Sequence, residues 1–437
     1  RLPGEFLRLP EAVLIATLQG HQRYFPVRDA QGGLMPAFIT VSNIESREPA
    51  LVAAGNERVV RPRLTDAAFF FDQDRRTPLA DRVPALAKVV FQQGLGSLHD
   101  KSARVAALGA EFAAALGVDG ALVGRAALLA KADLLTAMVG EFPELQGTMG
   151  AHYARADGEP DAVATAVGEQ YLPRHAGDAI PASAAGRVLA LADRLDSLAG
   201  AFAIGKRPTG NKDPFALRRG ALGFLRIAIE GGLELDLPAL IDRAIALQPA
   251  RVADPAALGG ELYDFIIERL RAWYLDGLAP GLPAGAVTAE IFEAVRLRRP
   301  ASPLDFHARL LGVRAFVGLA ESTSLAMANK RIANILRSGP PEAGAVIDPA
   351  LFEAPPEAAL HAAVEAVAPA HAERLARRDY PGVLRGLAAL RDPVDGFFDA
   401  VLVMAEDPAQ RRNRLAQLQR LRGMFLDVAD LSCLPTP

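Results

Sequence analysis

AALLAKADLLTAMVGEFPELQGTMG, residues 126–150, decides how the chain is read. Ala127, Leu128, Leu134, Leu135, Met138 and Val139 recur at three-and-four spacing, the pattern of a helix with one face toward a core. The pattern predicts a helix from Ala126 that Gly140 ends. Pro143 cannot continue a helix and Gly147 marks a turn, so Glu141 to Gly147 reads as a compact reversal. Lys131 and Asp133 stand inside the apolar run. Unpaired buried charge is expensive, so each needs a partner.

Around this stretch lies a chain of 437 residues, enough for two to four domains and ample core. The net charge of -3 neither indicates nor excludes nucleic acid. The single cysteine, Cys433, cannot form an intramolecular disulfide. No run of eighteen apolar residues and no signal segment appear, so the chain reads as cytosolic, with no membrane partner. It begins at Arg1 rather than Met and reads as a piece that has lost an N-terminal part. Only six of its 48 basic residues are lysine, so a lone arginine is weak evidence of RNA contact.

Upstream, Glu11 to Gly20 is apolar and helical. His21 to Val27 and Ala37 to Ser42 alternate as two strands, plausibly antiparallel, with turn material at Asp29 to Gly33. GNERVVRPRLTDA at 55–67 brings Arg58, Arg61 and Arg63 close together beside three consecutive phenylalanines. Such a cluster is either a solvated helix face or a phosphate contact, for which arginine forks are suited.

From Pro84 the chain is largely helical. His99-Asp100, near a helix start at Ser97, invites a metal reading. HD-type phosphohydrolases place a first His on one helix, a His-Asp pair after a later AALL run, and a last Asp in an ADRL-like helix. This chain carries the skeleton at 104–106, 126–129 and 192–195. Its ligand slots, however, hold Lys101, Ala130 and Lys131, and only Asp193 survives. A metal needs several convergent ligands, and two lysines would repel one. The reading is an HD-like helical fold without its metal, with His99-Asp100 as a helix-start pair. Lys131 then pairs with Asp193 or Asp133, giving the buried charges partners.

AIGKRPTGNKDPFALRRGALG at 203–223 sets Lys206, Arg207 and Lys212 in a Gly/Pro loop, followed by Arg218 and Arg219. Asp213 reads as an N-cap with Pro214 at the first helical position. The loop lacks phosphate-loop spacing, so it is no nucleoside triphosphate site; backbone contacts to RNA suit it better.

These three motifs together resemble the β subunit of the bacterial heterotetrameric glycyl-tRNA synthetase. The resemblance runs from about Gly20 to the C-terminus and implies the C-terminal two-thirds of such a subunit. It implies a tRNA-binding chain needed for glycylation of tRNA(Gly), with no catalytic residue, metal or cofactor of its own. ATP and magnesium would sit on the partner α subunit of an α2β2 tetramer. The family's HD-like domain likewise lacks the metal ligands. Residues before about Thr77 would end a domain resembling the B3/4 domain of phenylalanyl-tRNA synthetase.

The C-terminal third fits this reading. Trp273, in an amphipathic helix, reads as a core or interface anchor. Lys330, Arg331, Asn334 and Arg337 share a short helix, and Ser338 to Pro356 reads as a loop. Asp407-Pro408 starts a helix with Leu415, Leu418, Leu421 and Phe425 as its core stripe and Arg411, Arg412 and Arg414 near its start. KRIANIL and NRLAQL resemble the all-helical DALR-type anticodon-binding domain shared with arginyl-tRNA synthetase. The expected architecture is therefore mainly α and multidomain. It comprises an N-terminal α+β remnant (1–76), a degenerate HD-like domain (77–232), a helical connecting region (233–320) and a DALR-like domain (321–437). The runner-up function is an HD-type metal-dependent phosphohydrolase.

Overall fold

The computed structural model describes residues 1–20, 23–43, 45–339 and 346–435, and these are mainly helical. The chain divides into two compact units: Arg1–Ile227 with Ala239–Leu262, and Ala228–Pro238 with Tyr263–Pro437. Among the described residues no single helix is long and apolar enough to cross a membrane.

The first unit opens with α1 (Glu11–Gly20) and a hairpin of β1 (Phe25–Arg28) and β2 (Leu34–Ile39). The strands are antiparallel, but the second lies three residues earlier than its composition predicts. The turn explains the shift. Asp29 accepts the backbone N–H groups of Gln31 and Gly33, and Gly32 takes a positive φ, so Arg28 comes opposite Leu34. His21 and Gln22, expected in the first strand, lie outside the described residues.

Next come α2 (Pro49–Asp74), α3 (Leu79–Arg82) and a small hairpin of β3 (Val90–Gln92) and β4 (Gly96–Ser97) that the sequence reading did not anticipate. The helical body comprises α4 (Leu98–Leu116), α5 (Gly120–Leu129), α6 (Ala137–Glu141), α7 (Thr148–Ala156), α8 (Asp161–Glu169), α9 (Ala184–Ala203) and the first-unit parts of α10 (Leu217–Glu230), α11 (Leu237–Ala246) and α12 (Pro255–Leu275), the last of which belongs to the second unit from Tyr263 on. α4 packs on α5 and α9, and α8 on α7 and α9. Phe112, Leu129, Val188, Leu195 and Phe224 are among the residues sealed in this core. The stretch 1–76 is tied into this helical body rather than set apart from it. Asp74, at the end of α2, accepts the N–H groups of Ala137 and Met138 and the Tyr153 hydroxyl, capping α6 from inside.

Two helices differ from their predicted course. The helix expected from Ala126 to Gly140 stops at Leu129, and a 3₁₀ turn spans Ala132–Leu135 before α6 begins. The break lets Lys131 and Asp133 reach different partners. Asp133 accepts the N–H groups of Gly147 at 2.6 Å and Gly150 at 3.0 Å. Both glycines are required. Gly147 has φ +80, and a Cβ on Gly150 would lie 3.0 Å from the Asp133 carboxylate. Likewise α10 begins at Leu217, not Pro214. Asp213 still caps it, across an intervening turn, by accepting from Leu217 and Arg218 N–H.

The second unit holds α13 (Ala289–Arg296), α14 (Pro303–Val317), α15 (Ser322–Ser338), α16 (Pro355–Ala376), α17 (Tyr380–Ala388), α18 (Arg391–Ala400) and α19 (Pro408–Leu426). α17 packs on α14 and α16, while α15 meets α18 and α19. Trp273 is core, as its pattern predicts, and so are Leu415, Leu418, Leu421 and Phe425. Of the loop expected at Ser338 to Pro356, residues 340–345 lie outside the described residues; the rest includes a 3₁₀ turn at Pro349–Leu351 and ends where α16 starts at Pro355. The boundaries expected at 76/77, 232/233 and 320/321 do not coincide with the division into two units.

Candidate functional site

α4 starts with a capping box. Ser97 Oγ accepts the Asp100 N–H, and the Asp100 carboxylate accepts the Ser97 N–H. His99-Asp100 is thus a helix-start pair, while Lys101 and Arg104, one turn on, face inward.

Both meet α9. Lys101 Nζ lies 3.2 Å from the Asp193 carboxylate and 3.0 Å from that of Asp196, and donates to Ser197 Oγ at 2.8 Å. Arg104 Nε donates to Asp196 at 2.6 Å. Lys131, just past the end of α5, completes the cluster at 3.1 Å from Asp193, donating also to Gln170 Oε1 at 2.8 Å and the Tyr171 hydroxyl at 3.1 Å. Of the two partners expected for Lys131, Asp193 is the one it takes.

Burial alone would raise the Asp193 carboxyl, but Lys101 and Lys131 outweigh it and hold the group well below the usual carboxylate range. Asp196 is lowered in the same way, burial being outweighed by Lys101 and Arg104. Asp133 goes the other way. Burial pushes its carboxyl up to about 6, only partly offset by the Gly147 and Gly150 N–H groups and the charge of Lys131. One of its oxygens is buried without a hydrogen-bond partner. A carboxylate held ionised by two ammoniums is a poor proton acceptor near neutrality, so Asp193 is unsuited to general-base work. Among the described residues no group of three His, Cys, Asp or Glu side chains is placed to hold a metal ion.

The sequence pointed to Lys101, Lys131 and Asp193 but assigned no role to Arg104 or to Asp196 as a partner. Each lies three residues from a member already singled out, on the same helix face, and that spacing was the available signal.

The basic residues fall into three classes. Arg58 and Arg61 on α2 are exposed, while Arg63 is half-buried, 3.8 Å from Glu141. Lys206, Lys212 and Arg219 are exposed and form no ion pair among the described residues. Arg207 is paired with Glu261, donating at 2.7 Å, and Arg218 donates to the Gly210 carbonyl at 2.6 Å. The loop they share is closed by mutual backbone bonds between Thr209 and Lys212. On α15, Lys330, Asn334 and Arg337 are exposed, and Arg331 lies 4.3 Å over the Phe398 ring.

The α19 cluster divides. Arg412 is exposed and Arg411 donates to the Ala405 carbonyl. Arg414 corrects its expected role as an RNA contact. Its side chain is buried, donating to Glu357 at 2.9 Å, Glu353 at 3.3 Å and the Leu402 carbonyl at 3.0 Å. Glu357 is fully buried, so its carboxylate needs that cation more than a phosphate does.

A family model described as "Glycyl-tRNA synthetase beta subunit" matches residues 1–289. The chain is 50% identical over 429 residues to the glycine–tRNA ligase beta subunit of Ectopseudomonas mendocina, covering 98% of this chain and 61% of that one. It is 48% identical over 437 residues to that of Marinobacter nauticus, covering 100% and 62%. With the Pseudomonas fluorescens protein it shares 47% over 429 residues, covering 98% and 61%. The chain therefore spans about three-fifths of the length of these curated relatives.

Proposed function

This chain belongs to the glycyl-tRNA synthetase β-subunit family, and from that membership we propose that it is a tRNA-binding, non-catalytic part of a glycine–tRNA ligase. Glycylation of tRNA(Gly) then takes place on a partner α subunit in an α2β2 assembly, where ATP and magnesium are held. The observation that carries this reading is near-50% identity along the whole chain to proteins named as glycine–tRNA ligase beta subunits. The site agrees in its chemistry. The charged cluster of the first unit is an internally paired structural element, three cations on two carboxylates, an HD-like arrangement in which lysines stand where ligands would. The exposed, unpaired Lys206 and Lys212 supply phosphate contacts for the acceptor half of the tRNA. Arg58 and Arg61 add to that charge. In residues 321–437, read as a DALR-like anticodon-binding domain, Lys330, Arg337 and Arg412 serve the anticodon arm.

The metal-dependent phosphohydrolase alternative is disfavoured by Lys101 and Lys131 on the remaining carboxylate. Reconstitution decides between them. Charging of tRNA(Gly) with glycine that needs both this chain and an α subunit supports the proposal. Metal-dependent nucleotide hydrolysis by the chain alone, with no effect on charging, overturns it.

A further inference from the structure

Beside the lysine–aspartate cluster the first unit has a cleft of about 310 Å³, lined by Gln146, Gln170, Tyr171, Arg174, Arg194 and Arg219 among others. Three arginines line it. Elsewhere this chain pairs arginine with carboxylates repeatedly, as in Arg104–Asp196, Arg125–Glu159 and Arg309–Asp305. The three in the cleft are held differently.

Arg194, on α9, donates to the carbonyls of Gln170, Tyr171, Leu172, Pro173 and Ala190 at 2.7–3.2 Å. Gly223 of α10 leaves room for it: a Cβ there would lie 2.8 Å from Arg194 Nε. Arg174 donates to the carbonyls of Glu144 and Gln146 at 2.9 and 3.1 Å, which leaves its Nε–H and two further N–H groups unused. Arg219 is exposed, with no hydrogen bond or ion pair among the described residues. Carbonyl dipoles solvate these charges but do not neutralise them. The nearest carboxylate on the wall, Asp193, is already shared by Lys101 and Lys131. Burial lowers the Arg194 pKa to about 10 against the opposing charge of Asp193, the mark of a cation short of counter-charge. Tyr171 is kept protonated by its burial. Its hydroxyl accepts from Lys131 and retains its own proton to donate.

We propose that this cleft binds a phosphate monoester, carried by a free nucleotide or by the phosphorylated end of an RNA strand. Arg219 and Arg174 grip the phosphate oxygens. Planar guanidinium forks suit those oxygens better than they suit a single-point acceptor. Arg194 has its terminal N–H groups engaged with carbonyls and contributes charge. A dianion answers the surplus of positive charge, and a cleft of this size is at the scale of a small-molecule site.

The site does not depend on the tRNA reading, and separate variants keep the two apart. Calorimetric titration of the full chain with adenosine 5′-monophosphate, inorganic phosphate and adenosine tests the cleft. The nucleotide is expected to bind saturably and adenosine not at all. Arg219→Gln is expected to weaken nucleotide binding by roughly tenfold or more, as removal of one charged hydrogen-bond donor should, with an unchanged urea midpoint showing that the fold is intact. Equal binding of adenosine, no saturable binding of the nucleotide, or an unaltered affinity in Arg219→Gln overturns the proposal. A short RNA with a 5′-phosphate, compared with its 5′-hydroxyl form, identifies the source. Tighter binding of the phosphorylated strand than of the mononucleotide assigns the site to an RNA end, and the reverse assigns it to a free nucleotide. Lys206→Ala with Lys212→Ala, read on whole tRNA, tests the RNA reading instead.

Discussion

Lys131 and Arg414 are both buried cations held by carboxylates, one in each unit of the molecule, yet the sequence makes only the first look structural. Lys131 interrupts an apolar run, where a charge demands a partner. Arg414 stands among Arg411, Arg412 and Asn413, where the eye sees a basic patch. The helix geometry overrules the local composition. Residues 414, 418, 421 and 425 fall on one face of α19, so Arg414 continues the apolar stripe into the core, while Arg412 points outward. A cluster of arginines therefore has to be read against the phase of its helix before any member is assigned to phosphate.

That difference is broken most sharply by Arg414→Ala. Glu357 would be left as a fully buried carboxylate without its cation, and we expect a loss of about 3–5 kcal/mol in urea denaturation. A loss below about 1 kcal/mol would return Arg414 to the surface class.

The acid that stands beside Lys131 in sequence provides the next effect. The Asp133 pKa is about 6 when folded, above the ordinary aspartate value. Below both values the carboxyl is protonated in either state. As pH rises from about 4 to 6 the unfolded chain releases the proton first, so this group's contribution to stability is lost across that window. The loss is about 3 kcal/mol in total. Asp133→Asn should flatten stability between pH 4 and 6, and a slope equal to that of the wild type would contradict the assignment. Asp193 and Asp196 have the opposite sign, since their lowered pKa values place the loss of stability below about pH 4.

Lys131→Ala should cost less than Arg414→Ala, roughly 2 kcal/mol, because Asp193 keeps Lys101 at 3.2 Å. If it costs as much, Lys101 does not share the charge as the geometry says. Arg412→Ala, changed for contrast, should shift stability by no more than about 0.5 kcal/mol.

The same physics sets what was legible. Apolar patterning placed α1, the stripe of α19 and Trp273, and the glycines before Ser97 placed the start of α4, because these signals lie within a few turns of chain. What failed depended on distant partners. The break at Lys131 arises from Asp133 reaching Gly147 and Gly150, and the early start of the second strand from the Asp29 turn. The cleft went unseen because Arg174, Arg194 and Arg219 come from three separated segments that only the fold brings together.

The proposed function stands on RNA being held, in the first unit, by exposed cations that have no carboxylate of their own, Lys206 and Lys212 foremost. Its direct test is the salt dependence of tRNA(Gly) binding by the wild-type chain, by Lys206→Ala/Lys212→Ala, and by Arg207→Ala, whose side chain is paired with Glu261. The log–log slope should fall by roughly 0.9 for each duplex phosphate that the lysine variant no longer neutralises, and should change little for Arg207→Ala. Slopes and affinities identical to wild type in the lysine variant would contradict it.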